Sequence, residues 1–325
     1  MEPVQPHAKT LRLRTIAHVA TQLNFSVEAI VDASERVGEF YHDFDRNVKG
    51  KLRHLTMARP PLRTLQRRIL DRILCRLPVS KYAFGAIKGR TIRDNAIAHA
   101  SAPFLAKLDI RDFYPSIRYQ RIHDFFIEQE CTPDVARILT RLTTRKHSLP
   151  LGTSTSPFLA DQIVHPIDER IGGLARSLRL RYTRYVDDVT LSGPFDLEPI
   201  AKKIITIVRG SGFSIKRSKL EIYRPDDGKE RVITGVRVQA GQVYAPLSYV
   251  EFLRKELARA REQSLREKVE GDFETRDQYR GKIGYVMWLD PNAGRQLLRL
   301  YRKVKWRHLE WAQSPLRHGP VVSPP

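Results

Sequence analysis

Two adjacent aspartates, Asp187 and Asp188, lie in RYTRYVDDVTLSG (181–193), an apolar and aromatic stretch of a chain whose formal net charge is +21. A third, Asp109, closes the segment FLAKLDI (104–110) but for one residue. By itself an Asp-Asp pair usually marks a solvated turn, because these short side chains bond readily to nearby backbone. Carboxylates gathered at one point repel each other, and the chemistry that tolerates such crowding is cation binding. An oxygen-only donor set suits Mg²⁺, held by one or two carboxylates plus substrate phosphates. Two such ions about 4 Å apart activate an attacking hydroxyl and stabilise a leaving oxygen in phosphoryl transfer.

The elements that must bring the carboxylates together can be read from periodicity. In FLAKLDI, Phe104, Ala106, Leu108 and Ile110 share one strand face, and Leu105, Lys107 and Asp109 the other. RYTRY and VTLSG read as two strands joined through Val-Asp-Asp. If the 104–110 strand lies beside that hairpin, Asp109 and Asp187 converge. Helices are expected over 134–145 and 157–178, and LEPIAKKIITIVRGSGF (197–213) reads as a helix closed by glycine. SKLEIYR and RVITGVRV read as two further strands.

On either side of this mixed middle the pattern is helical. Residues 9–40 carry apolar positions at helical spacing and predict two short helices. NVKGKLRHLT (47–56) predicts a basic hairpin with Gly50 in its turn. Leu62, Leu65, Ile69, Ile73 and Leu77 form one stripe of a helix that Pro78 ends, with arginines opposite. Helices follow at 249–269, with Val250, Leu253, Leu257, Leu265 and Val269 on one side, around 279–289, and at 293–311. Asp112, at the start of a helix, fits capping better than metal binding.

Composition limits the function classes. Lys and Arg number 57 against 36 Asp and Glu, an excess that points to a nucleic-acid partner. No apolar run approaches a membrane span, and MEPVQPHAKTLRLRT lacks the apolar core of a signal peptide, so a cytoplasmic, membrane-free protein is expected. Only two cysteines occur, Cys75 and Cys131, and neither belongs to a C-x-x-C pair, which argues against disulfide or zinc frameworks.

Four segments, in order, resemble the palm motifs of reverse transcriptases: KLDIRDFYPSI (107–117), LPLGTSTSP (149–157), the Tyr-x-Asp-Asp of YVDD (185–188), and GFSIKRSKL (212–220). NAIAH (95–99) and ITG (233–235) resemble elements of the bacterial retron type, and the likeness runs over roughly 10–312. The resemblance implies a mixed α+β right-hand polymerase fold with fingers, palm and helical thumb. Its expected parts are an N-terminal helical extension (1–45), fingers (46–104), palm (105–245), thumb (246–312) and a disordered tail (313–325). No RNase H or intron-type endonuclease domain is expected.

Residue roles carried by the resemblance are as follows. Asp109, Asp187 and Asp188 are the catalytic metal ligands for two Mg²⁺ ions, with Mn²⁺ as an alternative, and the backbone carbonyl of Ile110 joins them. For Asp188 the alternative is a supporting or turn role. Tyr114 is the steric gate against a ribonucleotide 2′-hydroxyl, or else a core aromatic. Lys51 and Arg53 grip the triphosphate, or form a solvated basic turn. Gly152 lets backbone approach the nucleotide. Leu151 stands where many relatives have glutamine, which makes the contact apolar. Lys219 protonates the leaving pyrophosphate, or is a surface lysine. Asn95 and His99 contact RNA or order the finger–palm joint, and Trp306 stacks on RNA or belongs to the thumb core.

The implied reaction is RNA-templated DNA synthesis from dNTPs. The template is a structured non-coding RNA, primed by a guanosine 2′-hydroxyl, and the product is a branched RNA–DNA hybrid (multicopy single-stranded DNA). The setting is anti-phage defence with a separate effector protein. Two alternatives stay open from sequence: another bacterial reverse transcriptase type, of the abortive-infection or group II intron kind, and an RNA-binding scaffold that controls a toxin.

Overall fold

The structure, a computed structural model, describes residues 10–48, 51–266 and 269–312, without the side chains at 48, 51, 53, 311 and 312. The chain divides into two compact units, one of residues up to 91 and 102–227, the other of 92–101 and 228 onward.

The first unit begins with α1 (Ile16–Leu23) and α2 (Val27–Glu35). Each starts where the sequence offers a hydroxyl: Thr15 accepts from the His18 amide and Ser26 from that of Ala29. Between them Asn24 takes the left-handed conformation, at φ 53°, that ends a helix. Strands β1 (Tyr41–Val48) and β2 (Lys51–Ala58) form an antiparallel hairpin from the Tyr41–Ala58 pair to the Val48–Lys51 pair. The hairpin is longer than the 47–56 segment expected, and Gly50 lies outside the described residues. Helix α3 (Leu62–Arg68) continues through a π turn at 69–73 and a 3-10 turn at 74–76. Its predicted stripe is buried: Leu62, Leu65, Ile69 and Ile73 are each 0% exposed.

After α4 (Ile92–Ile97), which belongs to the second unit, the chain enters β3 (Phe104–Asp109), α5 (Phe113–Ser116), α6 (Tyr119–Glu128) and α7 (Pro133–Thr143). Then come α8 (Ser156–Ser177), β4 (Arg181–Tyr185), β5 (Asp188–Gly193), α9 (Glu198–Gly210) and β6 (Glu221–Tyr223). The four strands form one antiparallel sheet in the order β4-β5-β3-β6. Ala106, Leu108, Val189 and Leu191 join Ile122, Phe126, Leu139, Leu159, Ile171 and Ile204 of the helices in one apolar core. Because β3 is an inner strand, Leu105 on its polar-facing side is buried as well. Asp112 precedes α5 with φ 46° and no capping bond from its side chain, so the capping reading is corrected. Its carbonyl, not its carboxylate, accepts from the Ser116 amide.

In the second unit α4 packs against a three-stranded sheet, β7 (Val232–Ile233), β8 (Val236–Gln239) and β9 (Gln242–Tyr244). RVITGVRV is therefore not one strand. Thr234 and Gly235 take φ of 47° and 82°, the paired positive values of a tight two-residue hairpin turn, and reverse the chain. Helices α10 (Leu247–Gln263), α11 (Arg276–Leu289), α12 (Pro291–Tyr301) and α13 (Trp306–Ala312) follow. The single helix expected at 293–311 is two, broken after Tyr301. Leu265, expected on the buried side of α10, lies beyond its end and is 59% exposed.

Candidate active site

The three carboxylates meet because of strand register. Asp109, the last residue of β3, is the cross-strand partner of Asp188, the first of β5. Tyr185 and Asp188 pair across β4 and β5, which leaves Val186 and Asp187 as a two-residue turn. Val186 holds φ at 59°. Positive φ at the first central residue is the pattern of a II′ turn and is a genuine outlier for a β-branched residue. The Ile110 amide donates to the Asp187 carbonyl at 3.0 Å, which ties the end of β3 to this turn.

The electrostatics of the site centre on Asp188. Burial, then the charges of Asp187 and Asp109, push Asp188 up to about 6, against the pull of Lys219 and Lys107. Asp109 is 5% exposed and receives the Lys219 ammonium in a direct ion pair. Burial draws the lysine down, but its bond to Asp109 and the three nearby carboxylates outweigh this and raise its pKa. Lys219 thus lies at the carboxylates, held there by the Lys216 amide bonding the Asp109 carbonyl at 2.8 Å.

Among the described residues no three His, Cys, Asp or Glu side chains enclose a metal-sized point. The charges of Asp187 and Asp109 act on Asp188, and the three do not close a cage. That arrangement fits a hard divalent cation that keeps part of its water and takes further oxygens from substrate phosphates, and it does not fit an all-protein site. A cation at this point would offset the crowding that pushes the Asp188 carboxyl up.

Tyr114 is half-buried beside these groups. Burial and the Asp187 charge push its hydroxyl up to about 12. Leu151 and Gly152 lie against the β1–β2 hairpin, where the Thr56 amide donates to the Leu151 carbonyl at 2.8 Å. Gly152 has φ 115°, and a Cβ there would stand 2.7 Å from the Thr56 carbonyl oxygen. Its close backbone approach is therefore to the hairpin. A cleft of about 580 Å³ opens between the hairpin and the 145–151 loop, lined by Thr56, Leu151 and Pro115 among others. The side chains of Lys51 and Arg53 lie outside the described residues.

The three residues with RNA-facing alternatives are buried. Asn95 and His99 are 0% and 2% exposed inside the second unit, and Asn95 Nδ2 donates to Thr234 Oγ1 at 3.3 Å. The NAIAH and ITG segments are thus bonded to each other. Trp306 is 8% exposed, with its ring centroid 5.3 Å from that of Tyr279 and 4.9 Å from that of Tyr301. Its Nε1 donates to the Tyr301 carbonyl, so its faces are already covered.

Sequence reasoning passed over Arg184, Asp161, Asp168 and Gly85. An arginine inside a strand with an apolar pattern and two aspartates seven apart on α8 were the available signals. Arg184 is 2% exposed, and Asp161 and Asp168 are 3% and 0% exposed. Gly85 sits where a Cβ would stand 2.5 Å from the Val186 amide nitrogen.

An antiparallel sheet that sets one aspartate beside an Asp-Asp turn, with helices packed on it and a hairpin laid against a glycine loop, defines the palm and fingers of a right-hand nucleic-acid polymerase. The family described as reverse transcriptase (RNA-dependent DNA polymerase) matches residues 42–264. The retron Mx65 reverse transcriptase of Myxococcus xanthus is 31% identical over 312 residues, covering 88% of this chain and 71% of that protein. The retron Mx162 enzyme of the same organism is 26% identical over 283 residues, and the matched region is 77% of this chain and 57% of that protein. A foamy viral protease-reverse transcriptase solved with double-stranded DNA superposes with a TM-score of 0.44 at 14% identity, covering 97% of this chain and 50% of that one. The chain belongs to the reverse transcriptase family, in its retron-type branch. Dependence on a divalent metal is a general property of that family.

Proposed function

We propose that this protein is an RNA-directed DNA polymerase of a bacterial retron. It copies a structured non-coding RNA, starts from a guanosine 2′-hydroxyl of that RNA, and leaves a branched RNA–DNA hybrid in the setting of anti-phage defence. The observation that carries the reading is the register pairing of Asp109 with Asp188 beside the Val186–Asp187 turn, in a retron-type chain of net charge +21. Mg²⁺ is the proposed cation and two ions the proposed number. Asp109, Asp187 and Asp188, with the Ile110 carbonyl, would hold them. Bound there, the ions supply activation of the attacking hydroxyl and charge neutralisation at the leaving pyrophosphate.

The remaining steps belong to the chain's own side chains. Asp187, in the turn between β4 and β5, is the carboxylate proposed to serve both ions. Tyr114 presents a half-buried ring beside Asp187 and excludes a sugar 2′-hydroxyl by lack of space. Lys219 carries its proton beside Asp109 and donates it as charge builds on the leaving group. Leu151 offers an apolar contact to the incoming nucleotide, and Lys51 and Arg53 grip its phosphates. A separate effector chain is the proposed protein partner.

The test uses the protein purified with the nucleic acid it carries, beside an Asp187→Asn version. The expected result is a DNA band of defined length, attached to RNA and absent from the variant. RNA alone in both samples overturns the proposal.

A further inference from the structure

Beneath the Val186–Asp187 turn lies an almost fully buried charge network that touches no proposed substrate. Arg184 Nε donates to Asp168 Oδ1 at 2.9 Å, and Nη2 donates to Asp168 Oδ2 at 2.8 Å and to Asp161 Oδ1 at 2.6 Å. The Tyr182 hydroxyl donates to Asp168 Oδ1 at 2.6 Å, and the Ser80 amide to Asp161 Oδ2 at 3.3 Å. Asp161 and Asp168 stand two helical turns apart on α8 and so share the face that meets β4. Buried ion networks of this kind are weak stabilisers, since well-packed apolar side chains do as well or better. Their presence therefore asks for another explanation.

The remaining arm of the guanidinium supplies it. Nη1 donates to the Val186 carbonyl at 3.0 Å. That carbonyl belongs to the peptide between Val186 and Asp187, so whatever fixes its direction fixes the plane from which the Asp187 side chain departs. The turn is strained at Val186, whose φ of 59° a valine does not adopt freely. The strand on the other flank is also committed. Arg184 exchanges backbone bonds with residues 82 and 84, at 2.8 Å to the Tyr82 carbonyl and 2.7 Å from the Phe84 amide. Gly85 then passes the turn where any side chain would collide with Val186. The carboxylates of α8 hold the arginine rigid, and the arginine holds the turn.

We infer that Arg184 is a positioning residue for the reaction proposed above, an internal clamp that sets the Val186–Asp187 peptide, and with it the Asp187 carboxylate, from behind the sheet. The inference rests on the polymerase reading, but it can fail separately. Lysine at this position keeps the charge and loses the planar fork that reaches α8 and the turn together.

The experiment compares the full chain with Arg184→Lys by two readouts: steady-state synthesis on a primed RNA template, and amide hydrogen exchange over residues 184–190 in chelator. Leu139→Ala, a core change on α7, serves as a stability-matched control. Arg184→Lys is expected to lower kcat by about 10- to 100-fold, the scale of a carboxylate misplaced by a fraction of an ångström to an ångström. KM for dNTP stays nearly unchanged, because the lost interaction acts on the chemical step. Exchange over 184–190 accelerates in the metal-free protein, and Leu139→Ala shows neither effect. The triple variant Arg184→Gln, Asp161→Asn, Asp168→Asn removes all three buried charges at once, which avoids an uncompensated ion if the lysine variant does not fold. It is expected to show the same loss of kcat. Wild-type kcat in either folded variant overturns the clamp, as does an equal loss of kcat in the Leu139→Ala control. If the wild-type protein makes no DNA, the polymerase reading falls, and the exchange comparison still decides whether Arg184 holds the turn.

Discussion

Replacing Asp188 with asparagine will make the metal-free protein more stable while abolishing DNA synthesis. The carboxyl group is pushed from 3.8 to about 6 by burial, then by Asp187 and Asp109. A carboxyl with a raised folded pKa binds its proton more tightly in the folded chain than in the unfolded one. Ionising it above pH about 6 therefore costs folded-state free energy, and the cost is relieved as pH falls from about 6 toward 4. At about 1.4 kcal/mol per pKa unit the full displacement corresponds to about 3 kcal/mol. Solvent reaches this partly exposed residue, which reduces the figure to about 1–3 kcal/mol. Asparagine has the same shape and no charge. For a unit of this size, each kcal/mol moves the midpoint by about 2–4 °C, so the variant melts about 2–12 °C higher at pH 7.5. The assay is thermal melting in EDTA at pH 7.5 and pH 4.5, followed by the same scans with Mg²⁺. The gap narrows at pH 4.5, where the wild-type carboxyl is protonated, and narrows or reverses with Mg²⁺, which stabilises only the carboxylate. A variant that melts at or below wild type at pH 7.5 in chelator refutes the crowding argument.

Three further changes separate the remaining roles. Gly152→Ala combines a left-handed φ with a Cβ 2.7 Å from the Thr56 carbonyl, so it costs about 1–3 kcal/mol and shifts the hairpin. The expected result is a lower melting point and a higher KM for dNTP, and unchanged kinetics would count against the hairpin's role. Tyr114→Ala opens space beside Asp187 and is expected to raise ribonucleotide incorporation relative to deoxynucleotide, measured side by side on one template. An unchanged ratio rejects the gate. Trp306→Ala removes a buried ring packed on Tyr279 and Tyr301 and costs about 3–5 kcal/mol, read by melting. Weaker RNA binding with no loss of stability would instead restore the stacking role.

Much of the local structure was legible because its causes are local. The boundaries of α8 and β4 follow from apolar periodicity and flanking turn residues, and they lie within a residue or so of the 157–178 and 181–185 segments. Where a short-range signal was misread, the cause is also specific. Thr234-Gly235 is a hairpin turn inside what looks like one strand, and nothing in 293–311 marks the break after Tyr301, where Trp306 Nε1 bonds the Tyr301 carbonyl. Burial of Asn95 and His99 was invisible because the sheet that covers them comes from residues 232–244.

The amino-acid sequence alone singled out the residues proposed to carry the chemistry: three aspartates at strand ends, on a basic chain, spaced so that pairing two neighbouring strands would bring them together. Periodicity of two fixes which face each side chain takes, and that needs no partner. Only the tertiary structure decided what surrounds them. Lys219 meets Asp109 from 110 residues away, and Arg184 meets Asp161 and Asp168 from 23 and 16 away. Gly85 is glycine because of Val186, and Gly172 because the Tyr82 ring occupies the place of its Cβ. These are contacts between elements that no local pattern orients, since the packing of α8 and the 82–85 segment on β4 is chosen by the whole core.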